Sequence, residues 1–275
     1  MKILTLALTT AGCLAIAGAA WAGAWSQPEG SYYAKLAVSR FAATADFDSD
    51  SNKLDKLGNG RLTDLSVTTY LEYGLRERLT LVASFPFKRL EDERTFTTGI
   101  GNKRDTDFGD LDLRLRYQWW DTPIVAAVAG GVRLPLTYEV GEQSNVPLGT
   151  GRWAQEIRLL AGRSLYPFPG YLTGDLGWRH RSGRFSDELF YSLEAGASRK
   201  RVLLKATVAA IHTLGTCGAL TQAGLIGDQD VLKVSPGLIY RATERLELSL
   251  EAFHIAAGCN TTAGTTWSLG AALTR

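Results

Sequence analysis

From Leu111 to Trp119 the chain reads Leu-Asp-Leu-Arg-Leu-Arg-Tyr-Gln-Trp, apolar and polar side chains alternating without a break. A period of two places every apolar side chain on one face of an extended strand and every polar one on the other. The polar face carries Asp112, Arg114 and Arg116, which excludes a dry sandwich core on that side. The pattern returns in 65–73, where Leu65, Val67, Leu71 and Tyr73 share a face, and again in 246–252 and 267–273. A chain built this way needs an apolar medium on one side of its sheet and a hydrated or ion-paired space on the other.

The first residues say how it reaches such a medium. Lys2 is followed by an uncharged, mostly apolar run from Ile3 to Ala20, and Ala20-Trp21-Ala22 fits a small-x-small cleavage pattern. This predicts a signal peptide over 1–22 and a mature chain from Gly23. Pro28 and Gly30 follow, with no stop-transfer pattern to favour an uncleaved anchor. Lipidation at Cys13 is disfavoured, because apolar sequence continues past it through Leu14, Ile16 and Ala19. Cleavage removes one base and no acid, leaving 29 Lys and Arg against 28 Asp and Glu, so charge gives no reason to expect nucleic acid.

After residue 22 no stretch has the roughly 18 consecutive apolar residues of a transmembrane helix. A membrane protein without such helices must be a closed barrel, since only closure satisfies every backbone group in lipid. Twelve strands are predicted, near 31–43, 63–75, 79–90, 109–120, 124–136, 153–165, 171–182, 188–198, 202–214, 230–241, 246–257 and 265–275. The connections alternate between short ones (76–78, 121–123, 166–170, 199–201, 242–245) and generally longer polar ones (44–62, 91–108, 137–152, 183–187, 215–229, 258–264). Short periplasmic turns and longer outer loops are the signature of an antiparallel outer-membrane β-barrel, and an even strand count leaves both termini in the periplasm. Tyr32, Tyr33, Tyr73, Trp119, Trp120, Tyr171 and Tyr240 fall near the short-turn ends, and Phe87, Trp153, Phe190, Tyr191 and Trp267 near the long-loop ends, as two interfacial girdles require. A soluble secreted sandwich explains neither the loop alternation nor the girdles. The domain reading is therefore a signal peptide (1–22) and one outer-membrane β-barrel (23–275). The final strand ends Ala272-Leu273-Thr274-Arg275, without the terminal aromatic residue common in this class.

Parity assigns the lumen its lining. Glu72, Asp110, Asp112, Arg114, Arg116, Arg133, Glu156, Arg158, Asp175, Glu194 and Glu251 point inward, together with Asp64, Arg179, Lys205, Lys233 and Glu247. Facing lipid at the midplane, each Arg or Lys would cost about 2–4 kcal/mol. Two readings stand: a hydrated path lined by acids and bases, or a closed lumen held by interlocking ion pairs. Twelve strands lie between small filled barrels and the large porins, so any passage is narrow.

Three segments carry a resemblance: Ala24-Trp25-Ser26-Gln27-Pro28-Glu29-Gly30, the hairpin Tyr73-Gly74-Leu75-Arg76-Glu77-Arg78-Leu79-Thr80-Leu81, and Phe108-Gly109-Asp110-Leu111-Asp112-Leu113-Arg114. Together they resemble a family of small Gram-negative outer-membrane barrel proteins described as transporters linked to meta-pathway phenol degradation. The resemblance implies a channel- or transporter-like barrel passing a small solute. The alternative is a non-conducting structural or surface-interaction barrel acting through loops 44–62 and 91–108.

Other chemistry finds little support. Nucleophilic catalysis would need a Ser–His or Cys–His pairing; of the histidines His180, His212 and His254, no Ser sits at a predictable inward position beside His212 or His254, and no G-x-S-x-G occurs, so no catalytic residue is assigned. The three histidines lie near the outer ends of odd-numbered strands. Alternate strands are about 9–10 Å apart, which favours isolated rim histidines over a joint metal site. The loop Asp46-Phe47-Asp48-Ser49-Asp50-Ser51-Asn52 resembles the opening of a calcium loop but has Ser51 at the glycine position and Leu57 at the closing glutamate, so a solvated loop is expected. No metal and no cofactor is expected. Expected partners are outer-membrane lipid and lipopolysaccharide, the barrel-assembly machinery and a small solute. Export leaves two cysteines in an oxidising compartment, and the strand order puts both at the outer rim, which predicts a Cys217–Cys259 disulfide.

Overall fold

The computed structural model describes residues 23–96, 99–138, 146, 148–218 and 227–275. The predicted signal peptide lies outside the described residues. The strands are β1 (Tyr32–Phe47), β2 (Lys53–Asp55), β3 (Arg61–Arg76), β4 (Leu79–Phe96), β5 (Gly99–Phe108), β6 (Asp110–Trp120), β7 (Val125–Pro135), β8 (Ala154–Ser164), β9 (Gly170–Arg181), β10 (Glu188–Arg199), β11 (Val202–Thr213), β12 (Asp230–Arg241), β13 (Leu246–Cys259) and β14 (Thr261–Thr274). Twelve of them form one antiparallel ring. β1 pairs β3 on one side and β14 on the other, the latter from Tyr33–Thr274 to Phe47–Thr261 with a register shift between Ala43 and Ala45, so the ring has no free edge. Closure is what lets this backbone stand in lipid. No helix among the described residues is long and apolar enough to cross a membrane.

β2 and β5 are not part of the ring. β2 pairs the outer end of β1, and β5 pairs the outer half of β4 from Phe87–Phe108 to Phe96–Gly99. The segments 44–62 and 91–108, read from the sequence as loops, are thus partly β-ribbon that continues beyond the barrel wall. They lack the alternation because a ribbon above the lipid has no apolar side to present. The last connection is also shorter than expected: β13 and β14 are separated by Asn260 alone, with φ 50°.

The faces follow parity. Leu65, Leu115, Val132, Leu250 and Leu269 are exposed on the outside, Leu269 to 64 %, whereas Glu72 is 1 % and Arg116 4 % exposed on the inside. The aromatic girdles differ in part from the sequence reading. Tyr73, Trp119, Trp120 and Tyr240 at one end and Phe87, Trp153, Tyr191 and Trp267 at the other are exposed, as girdles should be. Tyr33, Tyr171 and Phe190 are buried. Their parity matches Lys35, Thr173 and Glu194, so they turn inward and fill the lumen wall.

Candidate functional site: the charged lumen

Inward side chains of neighbouring and next-neighbouring strands meet in several ion-paired clusters. One is centred on Glu156 on β8. This one carboxylate faces Arg158 at 3.0 Å, Arg179 at 2.9 Å and Arg114 at 3.8 Å. Arg114 belongs to β6 and reaches Glu156 across β7. The register explains how: Arg114 pairs with Gly131, and Gly131 pairs with Glu156. A Cβ on Gly131 would stand 2.4 Å from Arg114 Cγ, so only glycine leaves the guanidinium stem room to lie over the strand. The same device recurs at Gly237 on β12, which sits in register between Lys205 and Glu251, a pair 3.0 Å apart.

Further contacts lie on both sides of it. Towards the periplasm, Arg116 donates two hydrogen bonds to Glu72, at 2.8 and 3.3 Å, and Tyr70 donates a third. Lys35 and Lys205 share Glu251, and Lys205 also meets Glu194 at 3.4 Å. Glu194 accepts from Tyr171 and Thr207, each at 2.7 Å. Asp175 accepts from Ser192 at 2.5 Å and from Arg158 at 3.4 Å. Towards the outside, Arg133 pairs with Asp112 at 2.8 Å and Lys88 with Asp64 at 3.1 Å. Asp110 accepts from the Tyr138 hydroxyl and from Thr150, tying loop residues to the barrel wall. Arg179 and Arg181 both pair with Glu188, at 2.8 and 3.2 Å, and Arg181 also holds Asp228. The eleven residues assigned to the lumen from parity all take part in these contacts, Asp110 through hydrogen bonds to Tyr138 and Thr150 and the others through ion pairs. Lys35, Lys88, Arg181, Glu188 and Asp228 take part as well and were not singled out. Alternation along 33–39 marks Lys35; no local pattern marks Asp228, which arrives from a loop.

The outer mouth is drawn together by that loop. Cys217 and Cys259 are joined in a disulfide with Cα atoms 6.3 Å apart. Asp228 is fully buried, accepting from Arg181 and from the Ser186 amide through its carboxylate and from Asn260 Nδ2 and the Gly218 amide through its carbonyl.

The periplasmic end is occupied by residues 23–30. The Ser26 amide donates to Gln118 Oε1 at 2.6 Å, the Gln27 amide to Thr80 Oγ1 at 2.8 Å, and Gln27 Nε2 to Glu72 at 3.0 Å. Ala24 is buried against the inward faces of Val125, Ala127, Ala129 and Leu160. Trp25 packs on the same cluster, meets Tyr171 edge-on at 6.4 Å and touches the Leu203–Ile239 patch across the barrel. The segment enters over Gly74, where a Cβ would lie 1.9 Å from the Pro28 carbonyl oxygen. Two spaces flank it. One, of about 250 Å³, is lined by Gly23, Arg114, Arg116, Arg158, Asp175 and Glu194 among others. The other, of about 750 Å³, opens at the short-turn end, lined by Trp25, Ser26, Gln27 and the 166–171 turn. The sequence reading placed residues 24–30 ahead of the first strand without giving them a position in the lumen.

The rim residues stand apart from one another. His180 meets Asp187 at 2.8 Å, His212 meets Asp230 at 2.9 Å, and His254 meets Thr265 at 2.9 Å. Among the described residues no group of three or more metal-ligating side chains is gathered. Asp48 accepts from the amides of Asp50 and Asn52, and these contacts hold its carboxyl below the usual range. Ser51 takes the left-handed conformation, φ 64°, that favours glycine.

No protein-family model matches the sequence, and no curated protein matches it. Solved structures do resemble it. An outer-membrane channel from Pseudomonas putida F1 superposes with a TM-score of 0.71 at 15 % identity, over 91 % of this chain and 97 % of that one. The NanC porin gives 0.52 at 7 % identity, over 86 % and 98 %. The translocator domain of the autotransporter NalP from Neisseria meningitidis gives 0.50 at 11 %, over 90 % and 89 %. At these identities the likeness is one of fold, and the fold is that of outer-membrane barrels, as the resemblance in the sequence implied.

Proposed function

We propose that this chain, exported by cleavage after Ala22, is a narrow outer-membrane channel for a small solute, held closed in the state described by its own residues 23–30. The observation that carries the reading is the placement of the N-terminal segment. It lies between a charged cavity at mid-height and an open vestibule at the periplasmic mouth, held by a few hydrogen bonds and one tryptophan. A barrel serving only as a scaffold has no need of open space on both sides of a removable segment. The acids of the lumen work here as ion-pair partners, not as general acids or nucleophiles. Likeness of fold to outer-membrane channels supports the same reading.

The test is planar-bilayer recording of the mature chain beside Trp25→Ala and a chain lacking residues 23–29. The proposal expects small, infrequent steps from the mature chain and frequent, larger ones from both variants. Silence from all three, in protein shown to be folded, would favour the non-conducting alternative.

A further inference from the structure

Four arginines face outward on the β1–β5 side, at and just beyond the outer edge of the barrel wall. Arg40 on β1 shares its face with the exposed Leu36 and Val38. Arg89 on β4 shares the face of Phe87, Arg61 on β3 that of Leu65, and Arg104 lies on β5. The strands are neighbours, and the register brings the residues together. Arg40 pairs with Leu65, Leu65 with Arg89, and Glu91 with Arg104, while Trp267 flanks Arg40 on the other side. One carboxylate, Glu91, serves both Arg89 and Arg104, at 2.7 Å each. Among the described residues no ion pair holds Arg40 or Arg61. Just below, towards the midplane, Val38, Val67, Phe87 and Phe108 form an apolar belt, with Phe87 and Phe108 in edge-on contact at 5.2 Å.

Such a patch must lie at the polar boundary of the bilayer. An outward arginine costs about 2–4 kcal/mol at the midplane and close to nothing at the interface. The patch sits at the long-loop end of the barrel, which faces the cell exterior. Elsewhere on the same rim the outward basic groups of β9 and β11, His180 and His212, each have their own aspartate. On the β1–β5 side the four outward guanidinium groups outnumber the outward carboxylates of β4, Glu91 and Glu93, the latter in register with Arg61. The leaflet they meet is built of phosphorylated glycolipid, and arginine binds phosphate through paired N–H donors better than any other side chain.

We propose that Arg40, Arg89 and Arg104, with Arg61 at the margin, form a binding site for the phosphate groups of the outer-leaflet glycolipid, lipid A, whose acyl chains lie along Val38, Val67, Phe87 and Phe108. Glu91 holds Arg89 and Arg104 in place until a phosphate takes over their donors. The site is independent of whether the lumen conducts.

Native mass spectrometry of the folded barrel, titrated with bisphosphorylated lipid A, tests it. Arg40→Gln should weaken binding about fivefold, the factor that corresponds to about 1 kcal/mol for one basic residue at a charged membrane surface. Arg40→Gln/Arg89→Gln/Arg104→Gln should weaken it further. Glu91→Gln should tighten it, because a competing carboxylate is gone; this variant answers even if the triple substitution disturbs the β4–β5 ribbon. Dephosphorylated lipid A should bind weakly, and excess inorganic phosphate should not displace the glycolipid. Binding unchanged in Arg40→Gln and in Glu91→Gln would overturn the site. Equal binding of phosphatidylglycerol would overturn its assignment to lipid A, and displacement by inorganic phosphate would make it a free-anion site instead.

Discussion

Glu72 and Arg116 form a two-pronged ion pair at 2.8 Å although strand β4 lies between their own strands, and both side chains are buried. Removing one partner from a buried pair leaves an uncompensated charge, which costs about 3–5 kcal/mol. Glu72→Ala should lower stability by that order, read from urea unfolding in lipid vesicles. It also strips Gln27 of its acceptor, so the N-terminal segment should loosen. Replacing both members by apolar residues, as in Glu72→Leu/Arg116→Met, should cost much less. A double variant as unstable as the single one would mean that the packing, not the orphaned charge, matters.

Gly74 sets the entry of the N-terminal segment. With the Pro28 carbonyl oxygen 1.9 Å from where a Cβ would be, Gly74→Ala cannot keep the present path. The outcome expected is release of residues 23–30 from the lumen. A Ser26→Cys reporter should then react with a periplasmic-side maleimide faster by about tenfold, equivalent to about 1.4 kcal/mol of lost seating. An unchanged rate would mean that the segment is held from its far end, by Trp25.

Arg114 is the least tightly held base of the mid-height cavity, 3.8 Å from Glu156 and with its Nε unpartnered. If the barrel conducts, Arg114→Ala should move the reversal potential in a salt gradient towards cation preference. Arg116→Ala should instead report mainly as lost stability, since its charge is spent on Glu72. An unchanged reversal potential for Arg114→Ala and also for Arg158→Ala would leave both with a structural role.

The disulfide closes a loop with a sequence separation of 42, for which chain entropy gives a stabilisation of at most about 4 kcal/mol. Reduction of the intact mature protein should add one hydrogen per cysteine by mass and should loosen residues 215–218 without unfolding the barrel, because Arg181 and Asn260 still hold Asp228. Full alkylation of both thiols in denatured, unreduced protein would exclude the bond.

Side-chain parity is a local property, and most of the fold was legible from it. In 111–119 each residue's neighbours alone decide which face it takes, so strand positions, lipid-facing leucines and inward charges could be read directly. Alternation of loop length added the closed ring and its orientation. The cysteine positions followed from the same strand order. The ends of β4 and β5 were not legible, since a ribbon outside the bilayer needs no apolar face and leaves no period to detect.

What only the tertiary structure decided is who meets whom inside. Glu72 finds Arg116 two strands away, and Glu156 gathers arginines from β6, β8 and β9, because the closed wall curves inward-facing side chains towards one another, Arg114 reaching Glu156 over Gly131. Parity says that a charge points inward and nothing about which partner lies within reach. The inward turn of Tyr33, Tyr171 and Phe190 was in the parity but obscured by the preference of aromatic rings for the interface. The N-terminal segment has no period at all. Its place in the lumen depends on a barrel wide enough to admit Trp25 and on the absence of a side chain at Gly74, and both are properties of the assembled ring.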